Sequence, residues 1–202
     1  ELRSIAFDPA HHPGVWVSDG YGYVFDLTSA NVRMFHSAGA ICVEEPDIED
    51  SILPHLDLAR RDASGDVLVL SSVLDPYEYR FRRVPTLPSA CRAPVAATAS
   101  STFEAFAKFF SEHYAFFDLY GVDWKARVEE ARRRVPADGD ERALFELLRE
   151  LIVPLRDSHI KLVAEIDGER LVHDGNPGPT ERALEAVANH RELPLRDVVG
   201  QF

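Results

Sequence analysis

The sequence predicts an α+β protein: a small antiparallel β-barrel or sheet domain followed by a helical bundle with a short β extension. In the first half of the chain, apolar and polar residues alternate with period two. A stretch rich in proline and alanine follows. Beyond it, apolar residues recur at three- and four-residue spacing, which is typical of amphipathic helices. We therefore predict a β domain at 1–92, a linker at 93–100 and a helical region at 101–202.

The first half predicts short strands with aromatic side chains on their inner faces. Tyr21, Tyr23, Phe25 and Leu27 alternate with smaller or polar residues, as expected for a half-buried strand. A turn at 28–31 leads into a strand at 32–36. The other expected elements are a strand at 67–70, a turn at Asp75-Pro76, a strand carrying Tyr77, Tyr79 and Phe81, and an ambiguous region at 48–61 that fits a short helix.

The second half predicts three helices with strongly apolar faces. Ser101 and Glu104 have the spacing of a capping box, and aromatic residues from Phe103 onward follow the helical period. A second helix is expected at 124–135, and a third starts at Asp140. The third helix carries its buried side on Leu144, Leu147, Leu148, Leu151 and Leu155.

Pro154 ends or kinks the third helix, because proline cannot donate the main-chain hydrogen bond. A strand at 160–166 follows, with a turn at Asp167-Gly168. A loop at 176–179, a cap at Thr180 and a short helix at 181–190 complete the expected elements.

Composition narrows the classes of function. The chain has 202 residues, 46% of them hydrophobic, and a net charge of −12. This acidity repels phosphate backbones, so we expect no nucleic-acid partner. Apolar runs stay well short of about 18 residues, so we expect no membrane span. The chain starts at Glu1 without methionine or signal peptide, which fits a trimmed or mature product.

Cys42 and Cys91 are the two cysteines of the chain. If paired, they would close a loop of about 50 residues and stabilise the fold by about 4 kcal/mol in the chain-entropy model. Two buried free thiols are the alternative. Pairing would favour a periplasmic or extracellular location over a cytoplasmic one.

The sharpest candidate for chemistry is Ser158-His159, because serine and histidine are the side chains of nucleophilic catalysis. Adjacent side chains rarely point the same way, so His159 would not activate Ser158 itself. We expect His159 to act as general base toward a nucleophile held elsewhere, with Ser158 orienting it by a hydrogen bond. The alternative is that Asp157-Ser158-His159 is only a polar turn between a helix and a strand.

Other candidate sites fit structural roles better. Ser158 and Lys161 have S-x-x-K spacing, but residues 160–166 predict a strand, where that spacing places side chains on opposite faces. Asp8, His11 and His12 fit an exposed polar turn better than a metal site, and we expect no metal or cofactor. Asp118, Asp123 and Trp124 could form a ligand rim near Gly121, but helix capping explains them more simply.

Two motifs resemble a known family. The segment at 114–124 (YAFFDLYGVDW), followed by LRDSHIKL at 155–162, resembles the tricorn-like branch of the C-terminal-processing (tail-specific) serine peptidases. The β-rich start is similar to a small barrel that some bacterial members carry. The resemblance implies that His159 is the general base and Ser158 its hydrogen-bonding neighbour. The family's PDZ-like segment, α/β core, nucleophilic serine and later acidic partner have no counterpart here, and many relatives use a Ser-Lys pair instead.

The resemblance therefore implies the non-catalytic N-terminal region of a serine peptidase that is inactive alone. Its partners would be a polypeptide substrate and a downstream core domain of the same protein, and a homo-oligomer would be compatible with this role. The alternative is a stand-alone β-domain module that binds a peptide or apolar ligand. Six aromatic side chains would line its pocket: Tyr21, Tyr23, Phe25, Tyr77, Tyr79 and Phe81.

Overall fold

The computed structural model of the chain describes residues 5–28, 32–74, 77–93 and 95–175. It divides into two compact units. Unit 1 contains residues 1–97 and 104–114, and unit 2 contains residues 98–103 and 115–202. The predicted boundaries at residues 92 and 101 stay predictions.

Unit 1 is built on an eight-stranded sheet in which every pair of neighbours is antiparallel. Its strands, in chain order, are β1 Ile5–Ala6, β2 Val15–Ser18, β3 Tyr23–Asp26, β4 Arg33–Ala38, β5 Ile41–Glu44, β6 Leu58–Arg61, β7 Val67–Ser71 and β8 Glu78–Val84. Their order across the sheet is β1-β6-β7-β8-β2-β3-β4-β5. The predicted antiparallel β domain is therefore confirmed as a sheet.

The core of unit 1 lies on the inner side chains of the central strands. Phe25 and Phe81 are fully buried and stack with ring centroids 4.7 Å apart. Trp16 is fully buried beside them. Burying each of these side chains contributes roughly 1.5–3 kcal/mol to folding, which explains why their strands occupy the middle of the sheet.

Two aromatic residues that were predicted to belong to strands lie outside the observed strands. Tyr21 belongs to a turn with φ 59° and is 56% exposed, so the strand begins at Tyr23. Tyr77 precedes β8 and is 64% exposed. The region at 48–61 contains two 3₁₀ turns, Ile48–Asp50 and Leu53–His55, and then the unpredicted strand β6.

Cys42 and Cys91 form a disulfide with their Cα atoms 4.9 Å apart. Cys42 lies on β5, and Cys91 lies in a 3₁₀ turn at Ser89–Arg92. Both are buried in a second apolar cluster with Val15, Val24 and Phe35. The bond therefore ties the edge of the sheet to the segment that leads toward the helices.

The described residues contain three helices: α1 Ala99–His113, α2 Trp124–Arg132 and α3 Glu141–Ile152. The capping box of α1 lies one turn earlier than predicted. Thr98 Oγ1 accepts the main-chain N–H of Ser101 at 3.1 Å, and Ser101 Oγ accepts that of Thr98 at 3.0 Å. Glu104 therefore lies within the helix, beyond the cap.

Helix α3 follows the predicted leucine pattern. Leu144, Leu147, Leu148 and Leu151 are buried on it, and Leu155 is fully buried in a 3₁₀ turn at Val153–Leu155. Asp140 caps the helix by accepting the N–H of Ala143 at 3.1 Å. The apolar stripe explains why this helix has one buried side.

Unit 2 also contains an antiparallel hairpin of β9 Lys161–Ile166 and β10 Glu169–Asp174. Asp167 and Gly168 both have positive φ, 54° and 76°, as a two-residue hairpin turn requires. The strand at 160–166 and its turn are confirmed, whereas β10 was not predicted. The predicted turns at 28–31 (in part) and Asp75-Pro76, the loop at 176–179, the cap at Thr180 and the helix at 181–190 lie outside the described residues.

Candidate functional site

The candidate site is the turn at residues 156–160, between α3 and the hairpin. Arg156 adopts a left-handed conformation with φ 51°, which reverses the chain after the 3₁₀ turn. The carbonyl of Asp157 accepts the N–H of Ile160 at 3.2 Å, and the carbonyl of Ile160 accepts the N–H of Gly175 at 2.8 Å. The turn is therefore closed on itself and bound to the end of β10.

His159 projects from this turn into solvent, with 91% of its side chain exposed. Its Nδ1 atom lies 2.8 Å from Oδ1 of Asp157. The same oxygen accepts the main-chain N–H of His159 at 2.9 Å. The Asp157 side chain is only 6% exposed. An exposed imidazole is thus joined to a buried carboxylate.

The structure places Ser158 and His159 side by side, and both are exposed. Among the described contacts, the hydrogen bond of the imidazole is made to Oδ1 of Asp157, and none joins Ser158 to the ring. The contact of Asp157 was missed at the level of sequence. The two-residue spacing between Asp157 and His159 could have indicated this contact, since aspartate side chains commonly accept hydrogen bonds from the main chain two residues on.

Lys161 does not share a helix with Ser158. It starts β9, and its Nζ lies 3.2 Å from Oδ1 of Asp174 across the hairpin. The geometry therefore agrees with the rejection of a serine–lysine pair on one helical face.

The segment around His12 differs from the exposed polar turn that was expected. Asp8 and His11 are exposed, but His12 is buried, with 4% of its surface accessible. Its Nδ1 lies 3.1 Å from Nε of Arg61, so the ring nitrogen accepts the guanidinium N–H. The side chain is buried because it packs beside Phe7 and its segment is joined to Trp16. Within the described residues, no group of three or more His, Cys, Asp or Glu is placed to hold a metal ion.

Two of the three residues of the possible ligand rim near Gly121 have structural roles, and a cavity lies nearby. Asp123 caps α2 by accepting the N–H of Ala126 at 3.0 Å. Trp124 is buried and stacks on Phe117 at 5.0 Å. A cavity of about 580 Å³ lies beside them, and Asp118 is not among its lining residues. It is lined by Leu119, Tyr120, Gly121, Val122, Asp123, Ala126, Arg127, Glu130, Pro154 and Arg156.

The six aromatic residues of the alternative binding function lie in different environments. Phe25 and Phe81 fill the core, whereas Tyr21 and Tyr77 are more than half exposed. Tyr21 packs against Tyr23 and Tyr79, at centroid distances of 5.9 and 5.1 Å. The six side chains therefore do not line one common pocket.

None of the helices in the described ranges is both long and apolar enough to cross a membrane. No curated protein and no solved structure matches the chain. A family model matches residues 96–153, which include α1, α2, α3 and the aromatic-acidic motif at 114–124 but end before Asp157. That family is the Tricorn protease C1 domain, part of a peptidase family, and the resemblance in the sequence is confirmed for residues 96–153.

Proposed function

We propose that this chain is the N-terminal region of a serine peptidase that hydrolyses polypeptides, and that His159 is its general base. The observation that carries the proposal is the position of His159. It lies just beyond the segment that matches the Tricorn protease C1 domain, and it is exposed on a turn closed by main-chain hydrogen bonds. An exposed imidazole at that place is accessible to a nucleophile from a downstream domain.

In this proposal, Nε2 of His159 takes the proton of a serine hydroxyl as that oxygen attacks the peptide carbonyl. The imidazolium then gives the proton to the departing amine. The nucleophile and the oxyanion hole belong to the downstream core domain. A base without these groups accomplishes little, so residues 1–202 alone are expected to be inactive. Ser158 is proposed as the neighbouring residue that supports His159.

The test uses a protein extended through the downstream coding sequence and an unfolded, fluorescently labelled polypeptide as substrate. His159→Ala should lower kcat by about 10²- to 10⁴-fold, the usual contribution of a general base. His11→Ala is the matched control, because His11 is also exposed and also lies beside an aspartate, Asp8, at 3.4 Å. A loss of no more than a few-fold in His159→Ala, or an equal loss in His11→Ala, would reject the role of His159.

A further inference from the structure

Within the part of the chain that the structure describes, Asp157 differs from the other acidic residues that form contacts with histidines. Its side chain is 6% exposed, whereas Asp8, beside His11, is 52% exposed and Glu45, beside His36, is 21% exposed. Yet the imidazole that Asp157 contacts is almost fully in solvent. In this contact the carboxylate of Asp157 is buried, whereas the imidazole of His159 is accessible from solvent.

The chain around Asp157 restricts the position of its carboxylate. Main-chain hydrogen bonds from Ile160 to Asp157 and from Gly175 to Ile160 close the turn. Leu155, two residues before Asp157, and Ile160, three residues after it, are both buried. Oδ1 also accepts the N–H of His159. The carboxylate therefore has little freedom to leave the ring for water.

A carboxylate can only accept hydrogen bonds, so the neutral imidazole must carry its proton on Nδ1 to bond with Oδ1. This leaves the lone pair on Nε2 of a side chain that is 91% exposed. An unrestrained neutral imidazole in water instead favours the proton on Nε2. The choice between the two tautomers decides whether the exposed nitrogen can accept a proton.

We propose that Asp157 is a positioning residue that holds His159 in its Nδ1–H tautomer and keeps Nε2 free to accept a proton. Its importance for catalysis rests on the proposed function. The tautomer itself is a property of this chain alone.

The experiment is ¹⁵N NMR of the histidine rings in residues 1–202 at a pH where the imidazoles are neutral. His159 is assigned by the loss of its signals in His159→Ala. In the wild-type chain, His159 should show a protonated Nδ1 and an unprotonated Nε2. Predominance of the Nε2–H tautomer in the wild-type chain would overturn the proposal, and this measurement needs no variant of Asp157.

Asp157→Ser removes the contact with the ring while leaving an oxygen that can accept the N–H of His159. In this variant His159 should shift to the Nε2–H tautomer. Asp157→Asn keeps an acceptor oxygen at the same reach and should restore the Nδ1–H form. An unchanged tautomer in Asp157→Ser would overturn the proposal.

Two controls separate this role from general effects on the fold. Ser158→Ala should leave the tautomer unchanged, and a shift there but not in Asp157→Ser would assign the role to Ser158 instead. His36 is an internal reference, because its Nε2, not its Nδ1, lies 3.0 Å from a carboxylate of Glu45. Its signals should be unaffected by Asp157→Ser. Failure of the activity test with the expected tautomer would reject only the proposed function.

Discussion

At the scale of single residues, His12 shows how burial changes the chemistry of a side chain. Its Nδ1 accepts a hydrogen bond from Arg61, and its Nε2 is buried without a partner among the described residues. Burial lowers the pKa of His12, and the positive charges of Arg61 and His11 lower it further, while Asp8 opposes them. The folded state therefore resists protonation of this imidazole.

The first prediction concerns the pH dependence of stability. In the unfolded chain, His12 titrates near its ordinary pKa of about 6.5. Below that pH the imidazole of the unfolded state is protonated, whereas that of the folded state stays neutral until the pH reaches its lowered pKa. This difference in the protonation of His12 should lower the free energy of unfolding as the pH falls through about 6.5 and toward the lowered pKa of the folded state. His12→Asn keeps an acceptor for Arg61 and does not titrate. We expect a smaller loss of stability between about pH 7.5 and pH 5 in this variant, measured by urea denaturation.

The matched control for this prediction is His11→Asn, which removes an exposed imidazole from the same segment. A change in pH dependence of equal size in the control would contradict the assignment to His12. An identical pH dependence in wild type and His12→Asn would contradict it as well.

A second prediction at this scale concerns Gly175. A Cβ at this position would overlap the carbonyl oxygen of Asp157, and it would lie 2.9 Å from that of Ile160. Gly175→Ala should therefore destabilise unit 2 by about 1–3 kcal/mol, as overpacking does, and shift the NMR signals of His159. Urea denaturation and heteronuclear spectra measure the two effects.

Gly168→Ala is the matched control for Gly175. Gly168 has open space around it but a φ of 76°, so alanine there is strained by about 1–2 kcal/mol without touching the turn. If both variants leave His159 unshifted, the packing of Gly175 against the turn does not position that residue.

The site itself could be predicted only in part at the level of residues. The sequence identified the pair at 158–159 and the polar turn around it. The roles assigned to Ser158 and His159 stay predictions, and the contact between Asp157 and the imidazole ring was not predicted. Side-chain direction within a turn depends on the backbone conformation of Arg156 and on closure by Gly175, which no short motif encodes.

At the scale of secondary-structure elements, the contribution of the N-cap of α1 to stability can be measured. Thr98 and Ser101 satisfy each other's main-chain N–H groups, and Asp138 accepts that of Ala99 at 2.9 Å. Thr98→Ala should lower the free energy of unfolding by about 1 kcal/mol, the usual value of an N-cap. Urea denaturation measures the change.

The control for Thr98 is Thr102→Ala, one turn into the same helix and exposed. It removes the same atoms without removing the cap, and alanine has the higher helix propensity. Equal destabilisation by both substitutions would show that Thr98 does not act as the cap.

Elements with a strong period were predictable, and elements defined by long-range pairing were not. The leucines of α3 recur at helical spacing, and burial of all of them follows that pattern. Strand β6 follows two 3₁₀ turns and reads Leu-Ala-Arg-Arg, which has no clear alternation. Its strand conformation depends on pairing with β1 and β7. Strand β10 is largely polar and likewise exists through its pairing with β9.

At the scale of the whole molecule, each compact unit contains one of the two tryptophans. Trp16 lies fully buried in unit 1, and Trp124 lies 6% exposed in unit 2. The disulfide between Cys42 and Cys91 lies in unit 1. A cross-link stabilises mainly by restricting the unfolded chain around it, so its effect should appear first in the unit that contains it.

We therefore predict that removing the disulfide affects the two tryptophan signals unequally. Cys42→Ala/Cys91→Ala should lower the free energy of unfolding reported by Trp16 by about 4 kcal/mol, as expected for a closed loop of about 50 residues. The transition reported by Trp124 should shift less, because Trp124 lies in the other unit.

Each signal is isolated by Trp124→Phe or Trp16→Phe and followed by fluorescence in urea. Each of these variants with the disulfide intact is the matched control. Equal shifts of both transitions would mean that the two units unfold as one cooperative body, and an unshifted Trp16 transition would contradict a stabilising role of the disulfide.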